Sequence, residues 1–243
     1  MGEARSLAVQ SAVGRALSWL WLLPCAAALR GLGFQLVGEA ETRAVYRRLR
    51  RESRSPLLVC ANHLTMVDSF LVAWALGTPS TYLRDWGALP WNTPERANFA
   101  RSWWQRALVY AAKCIPITRG GDRGEVAHVL ARVQGLLAAG EVALIFPEGG
   151  RSRTGRVEVG SAAWGVGRLI RALPGCRVLC VYLRGERQAT WSDRPERNQR
   201  FHVLAECFEP KSDLPGVRGS VDVARQVVAR LAALERRHFD ARQ

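Results

Sequence analysis

The run Leu57-Leu58-Val59-Cys60-Ala61, followed without a break by Asn62-His63-Leu64-Thr65-Met66-Val67-Asp68, decides how this chain folds. Five apolar residues with no polar alternation read as a strand buried on both faces, as strands of parallel sheets are. Asn62 and His63 end it, and Met66 to Leu76 reads as a helix closed by Gly77 and Pro79. A second unit of the same kind lies further on. Val142 to Phe146 reads as a strand stopped by Pro147, and the turn Glu148-Gly149-Gly150-Arg151-Ser152 follows it.

Outward from these two units, short strands alternate with helices, the pattern of an α/β protein. Strands are predicted at Phe34 to Val37, Ile115 to Thr118, Arg177 to Leu183 and Phe201 to Glu206, with one beginning at Thr81 and Tyr82. Helices are predicted at Thr42 to Arg51, from Pro94 to about Ala112, and at Arg123 to Ala138, Ser161 to Ala172 and Val221 to Phe239. The fold class is α/β: a single domain over 33–243, with a central mixed sheet flanked by helices, preceded by an N-terminal helical segment over 1–32. No internal repeat or low-complexity tract interrupts it.

The apolar run from Ala16 to Leu29 holds Trp19 and Trp21 and is flanked by Arg15 and Arg30. As a helix it reaches roughly 21 Å, short of a ~30 Å hydrocarbon core, and Pro24 is expected to kink it. Tryptophans with flanking arginines suit a pair of helices lying in a membrane interface. A core-packed amphipathic helix and a signal peptide are the two competing readings.

The chain has 243 residues, ample for a buried core, and its 48% hydrophobic and 23% charged residues are those of a globular protein. Its six cysteines fall mostly in apolar stretches without CxxC pairs, which reads as reduced core residues of a cytosolic protein. The formal charge is +14, and only Lys113 and Lys211 among the 35 basic residues are lysines. Such charge favours acidic partners: an anionic membrane surface, an acidic carrier protein or nucleic acid. The arginines are spread rather than interleaved with aromatics in one block, so nucleic acid is not expected as a partner.

His63 is a candidate general base. On a regular helix, residues five apart diverge by about 140°, but across a loop-to-helix junction Asp68 can accept from one ring nitrogen and fix the tautomer. The other nitrogen is then free to take a proton from an attacking hydroxyl. Thr65 to Asp68 also fits a helix capping box, which would give Asp68 a purely structural role. In the second unit the glycines let backbone N–H groups approach a ligand, Arg151 can grip a phosphate or carboxylate, and Glu148 can accept from a polyol hydroxyl. No GxxxxGK[ST] or GxSxG pattern occurs, which speaks against a P-loop NTPase and an α/β-hydrolase.

Over roughly Pro56 to Leu183 the chain resembles the glycerolipid acyltransferases of the 1-acylglycerol-3-phosphate acyltransferase type, whose motifs read NHxxxxD and FPEGTRS. Ile115-Pro116-Ile117-Thr118-Arg119 is similar to that family's second motif and Val178 to Leu183 to its fourth. The resemblance implies a membrane-associated O-acyltransferase of phospholipid biosynthesis, moving a fatty acyl group from acyl-CoA or acyl-carrier protein to a lysophospholipid hydroxyl, 1-acylglycerol-3-phosphate first among them. His63 and Asp68 would be catalytic, and Arg119, Glu148, Gly149 and Arg151 would contact substrate. No metal or organic cofactor is expected, and the location implied is peripheral, on the cytoplasmic side of the membrane. Other readings are a different acyl acceptor, such as a lyso-aminolipid, or a non-catalytic membrane- or nucleic-acid-binding protein. The chain departs from the family at Gly150, where a threonine is usual, at Val157 and Glu158, which replace an aromatic and a cation, and at Cys180, which replaces a proline.

Overall fold

Leu57–Ala61 (β2) lies at the centre of the sheet because every residue in it is apolar and buried. The computed structural model of the protein describes residues 2–99, 102–118 and 120–242. Before β2 come Gly2–Ala16 (α1), Ser18–Gly31 (α2), Gln35–Val37 (β1) and Glu39–Glu52 (α3). After it come Asp68–Leu76 (α4), Pro79–Arg84 (α5), Trp91–Asn92 (β3), Arg96–Phe99 (α6), Trp103–Ala111 (α7), Arg123–Ala138 (α8) and Val142–Ile145 (β4). Trp164–Arg171 (α9), Arg177–Gly185 (β5), Arg200–Phe208 (β6) and Gly216–Asp240 (α10) follow.

The strands form one mixed sheet in the order β1-β6-β5-β2-β4-β3. β2 pairs in parallel with β4 and β5, and β5 pairs antiparallel with β6. Side chains alternate between two cores, as strand geometry requires. Leu58, Cys60, Ala143, Ile145, Val178 and Cys180 face α8, α9 and α10, while Leu57, Val59, Ala61, Leu144 and Val181 face α3 and α4. α9 and α10 touch closely at Gly167, where a Cβ would run into the Ser220 carbonyl oxygen, so only glycine fits.

Several stretches differ from the pattern read in the sequence. Thr81 and Tyr82 lie in α5 rather than a strand, because Pro79 opens a helix whose capping box joins Thr78 and Thr81. The long helix from Pro94 is instead α6 and α7, the second started afresh by a capping box between Ser102 and Gln105. Ahead of them β3 pairs with β4, and two residues between prolines carry no periodic signal. The stretch from Cys114 to Thr118 makes only isolated bridges, Asn92 to Cys114 and Glu95 to Ile117, since Pro94, between them on the facing segment, has no N–H to give the Ile115 carbonyl. Helix α9 starts at Trp164, after a 3₁₀ turn over Val159–Ser161.

The N-terminal helices pack on the domain through Leu7, which joins the α8 core, and Leu22, which joins Tyr82, Trp86 and Leu89. Pro24 sits inside α2, and the break falls earlier, at Leu17, where the Ser18 hydroxyl donates to the Arg15 carbonyl. No helix among the described residues is by itself long and apolar enough to cross a membrane. α1 and α2 meet that test only together, bent by 63°.

Candidate active site

Because β2 and β4 run parallel with Leu57 opposite Val142, residues 85 apart stand level with each other. The loop after β2 therefore meets the turn after β4 at the carboxyl ends of adjacent strands, where open α/β sheets bind ligands. His63 comes level with Glu148, and its backbone N–H donates to the Glu148 carboxylate at 3.4 Å. Ser152 N–H in turn donates to the His63 carbonyl at 2.9 Å, tying the two segments together.

Asn62 prolongs the sheet. Its side-chain amide donates to the Leu183 carbonyl at 3.0 Å and accepts from the Leu183 N–H at 2.8 Å, so a side chain does what backbone does further down β2. That pairing sets the point at which the chain leaves the sheet and His63 begins the loop.

His63 Nδ1 lies 3.0 Å from Asp68 Oδ2. Oδ2 also accepts the backbone N–H groups of Leu64 at 2.6 Å and Thr65 at 2.8 Å, and Oδ1 accepts the Thr65 hydroxyl. An oxygen that accepts these N–H groups has no proton of its own to give, so Nδ1 is the donor in this contact and Nε2 is left as the basic nitrogen. The capping reading is half realised. Asp68 accepts from Thr65 as a capping box demands, but residue 67 is the cap and the Thr65 hydroxyl receives only the Val67 N–H. The imidazole also stacks on Phe146, with centroids 4.1 Å apart and planes 18° from parallel, which holds the ring's tilt.

Glu148 is buried, and burial pushes its carboxyl up to about 7, with the nearby Glu235 and Glu158 carboxylates adding to the rise. The N–H groups of His63 and Glu158 that donate to it act in the opposite sense. In the unfolded chain this carboxyl titrates near 4.5, so the folded state holds its proton more tightly. The associated stability is fully present below about 4.5 and is lost as pH rises through about 7, at roughly 1.4 kcal/mol for each tenfold difference in proton affinity between the two states. Glu148→Gln keeps an acceptor for His63 N–H and should therefore be more stable than the parent at pH 8, with the gain shrinking toward pH 5. Urea denaturation of both proteins across that range checks this, and a gain that grows on acidification would refute it.

Gly149 adopts φ +70 and its N–H closes a turn onto the Phe146 carbonyl, a backbone shape that favours glycine. Arg151 is engaged: its guanidinium donates to Asp193 and lies 4.8 Å from the centre of the Trp191 ring. Asp193 and Trp191 belong to the loop between β5 and β6, which closes on the histidine loop through Ser192 N–H to the Leu64 carbonyl. No sequence motif marks either residue. Arg119 lies outside the described residues. Glu158 is exposed and accepts the Thr154 hydroxyl at 2.7 Å. Cys180 is buried in the core, and among the described residues β5 contributes nothing to the cavity walls beside His63.

One cavity borders His63, and a second meets the first at Phe146, the ring on which His63 stacks. The first, of about 120 Å³, is mainly apolar and bordered by His63, Phe70, Phe99, Val109, Phe146 and Arg151. The other, of about 870 Å³, shares Thr93 and Phe146 with the first and runs past Gly149 to Trp164, Arg123 and Arg168. Among the described residues no group of three His, Cys, Asp or Glu side chains is placed to hold a metal ion.

A mixed α/β sheet with a carboxylate-oriented histidine between a polar turn and an apolar cavity defines a candidate group-transfer site. The family model described as Acyltransferase matches residues 42–184, more than half of the chain, and the chain belongs to that family of acyltransferases. No curated protein matches it.

Proposed function

We propose that the protein transfers a fatty acyl group from an acyl-CoA or acyl-carrier-protein thioester to the free hydroxyl of a lysophospholipid, with 1-acylglycerol-3-phosphate the preferred acceptor. The observation that carries this reading is the His63–Asp68 pair set against an apolar cavity. The acyl chain occupies the cavity and presents its thioester carbonyl beside the imidazole. The acceptor hydroxyl gives its proton to His63 Nε2 as its oxygen attacks the carbonyl carbon, and Asp68 offsets the imidazolium that forms. The tetrahedral intermediate expels the thiolate, the C–S bond breaks, and the imidazolium returns the proton to sulfur. An ester and a free thiol leave, with no net change in charge.

Arg151, together with Arg119, holds the acceptor phosphate, and Asp193 is the carboxylate that a phosphate must compete with. Trp191 keeps the Arg151 guanidinium in place during that exchange. The exposed position of Glu158, tied to Thr154, supports a phosphate acceptor, since that carboxylate does not border either cavity. The enzyme works as a peripheral protein on the cytoplasmic side of an anionic membrane, with α1 and α2 in the interface.

Incubating the purified protein with acyl-CoA or acyl-carrier protein and a panel of lysophospholipids, with products resolved by headgroup, tests the reading. Phosphatidic acid is expected as the main product. Glu158→Lys should change the rate with 1-acylglycerol-3-phosphate less than about twofold, because exposed charges are well screened. A large gain in that variant would place the carboxylate against the acceptor, and ester formation on amine-bearing acceptors alone would overturn the choice of phosphate.

A further inference from the structure

The described residues leave few large apolar side chains in solvent, and most of those few gather on three helices. Leu17 of the α1–α2 junction and Trp19, Leu20 and Leu23 of α2 are exposed, Trp19 by 58%. On α7 the same is true of Trp103 at 76%, Trp104 at 54% and Tyr110. α7 packs on α1: Gln10 donates to the carbonyls of Tyr110 and Cys114, and Gly14 lets α1 come against the Ala111 carbonyl. The apolar faces of α1, α2 and α7 thus belong to one packed group, and large exposed patches of this kind mark an interaction surface.

The chemistry of the group selects one occupant. α2 and α7 carry no acidic residue, whereas Arg15, Arg30 and Arg106 are exposed and make no ion pair among the described residues. Tryptophan beside unpaired arginine fits the headgroup layer of an anionic bilayer, where the indole rests at the apolar boundary and the guanidinium meets phosphate. A second copy of this chain would bring the same arginines face to face, with no acid on α2 or α7 to answer them and only Glu3 on α1, which pairs with His128 at the opposite end from Arg15.

The inner faces of the same helices supply the second observation. Trp21 of α2 and Leu108 and Val109 of α7 form part of the wall of the apolar cavity that His63 borders. We infer that α7 is a second membrane-seated element beside α1 and α2, that Trp103 and Trp104 enter the headgroup layer of an anionic bilayer, and that an acyl-bearing lipid passes to His63 between α2 and α7 without crossing water. The lipid path rests on the acyl-cavity reading above, whereas seating of α7 does not. A bilayer-to-cavity route keeps the methylenes of the acyl chain out of water throughout, so the hydrophobic cost of exposing them never arises.

The test compares the full-length protein with a Trp103→Ser/Trp104→Ser variant. Neither tryptophan borders the cavity, so activity with a short-chain, water-soluble thioester and acceptor should be unchanged. Sedimentation with phosphatidylcholine–phosphatidylglycerol vesicles should weaken by about tenfold or more, as loss of two interfacial anchors implies, and activity on acceptor presented in those vesicles should fall in proportion. Wild-type vesicle binding by the variant overturns the seating of α7. So does a concentration-dependent dimer that the substitution abolishes without affecting vesicle binding. Weakened binding with unchanged activity on vesicle-held acceptor overturns the lipid path. Absence of acyl transfer by the parent on soluble and vesicle substrates alike, with vesicle binding intact, would instead sink the proposed reaction and leave the seating of α7 standing.

Discussion

His63→Ala is expected to lower acyl transfer by about 10²–10⁴-fold, the usual worth of a positioned general base. The substitution removes the imidazole and its stack on Phe146 but leaves the backbone bonds of residue 63 to Glu148 and Ser152 in place, so the fold should persist. Initial rates with a saturating thioester, alongside circular dichroism of the same preparation, make the comparison. Rates equal to the parent in a folded variant would end the role assigned to this histidine. Asp68→Asn should be nearly as damaging for two reasons. It replaces an all-acceptor group by one that must turn an NH₂ toward existing donors, and it disturbs the loop bonds of Leu64 and Thr65 besides.

The largest loss of stability is expected from Glu235→Ala, at a residue that borders neither cavity. Glu235, buried on α10, accepts from the Val157 N–H and the Tyr182 hydroxyl, and faces the buried Arg184 at 3.9 Å and Arg156 at 3.1 Å. Arg184 keeps bonds to the carbonyls of Gly155, Gln188 and Ala189 and its place over the Phe239 ring, so truncation leaves a buried cation without its buried carboxylate. Removing one member of a buried pair costs about 3–5 kcal/mol. Urea unfolding should show the midpoint drop with an unchanged slope, and a loss below about 1 kcal/mol, the level of a surface pair, would mean that the charge is not confined as described. The segment that Glu235 holds leads into Glu158, whose N–H reaches Glu148, so some activity should be lost together with stability.

What can be read from the sequence follows the distance over which each contact acts. The strand before Asn62 and the helix from Asp68 are marked by their own apolar runs and by the stop at Gly77 and Pro79, and the meeting of His63 with Asp68 spans five residues, so both are legible locally. Glu148 is legible as a turn residue but not as the partner of His63 N–H, because that contact depends on which strand lies beside β2. Arg151 shows the limit most clearly. Its residue type suggests an anion, whereas its neighbours Trp191 and Asp193 arrive from the distant loop between β5 and β6, with no motif of their own. The same holds for α5, whose short capped turn has little hydrophobic period, and for the cavity wall built from α2 and α7.

The parallel pairing of β2 with β4 has a bearing on how such a protein can vary. Between the two strands the chain makes a long excursion from α4 to α8 that touches the sheet only at its edge strand β3, while the pairing of β2 with β4 and the bond from Ser152 N–H to the His63 carbonyl keep His63 and Glu148 side by side. Lengthening or shortening the outer part of that excursion remodels the lining of the apolar cavity and leaves the His63–Asp68 pair untouched. Slippage of the two strands by a single residue does the reverse, turning inward-facing side chains outward and parting the histidine from its turn. If the proposed reaction holds, its chemistry and its choice of acyl chain are written in separable tracts of one polypeptide, and exchanging the stretch between α5 and α8 with that of another member of the family is the way to move one without the other.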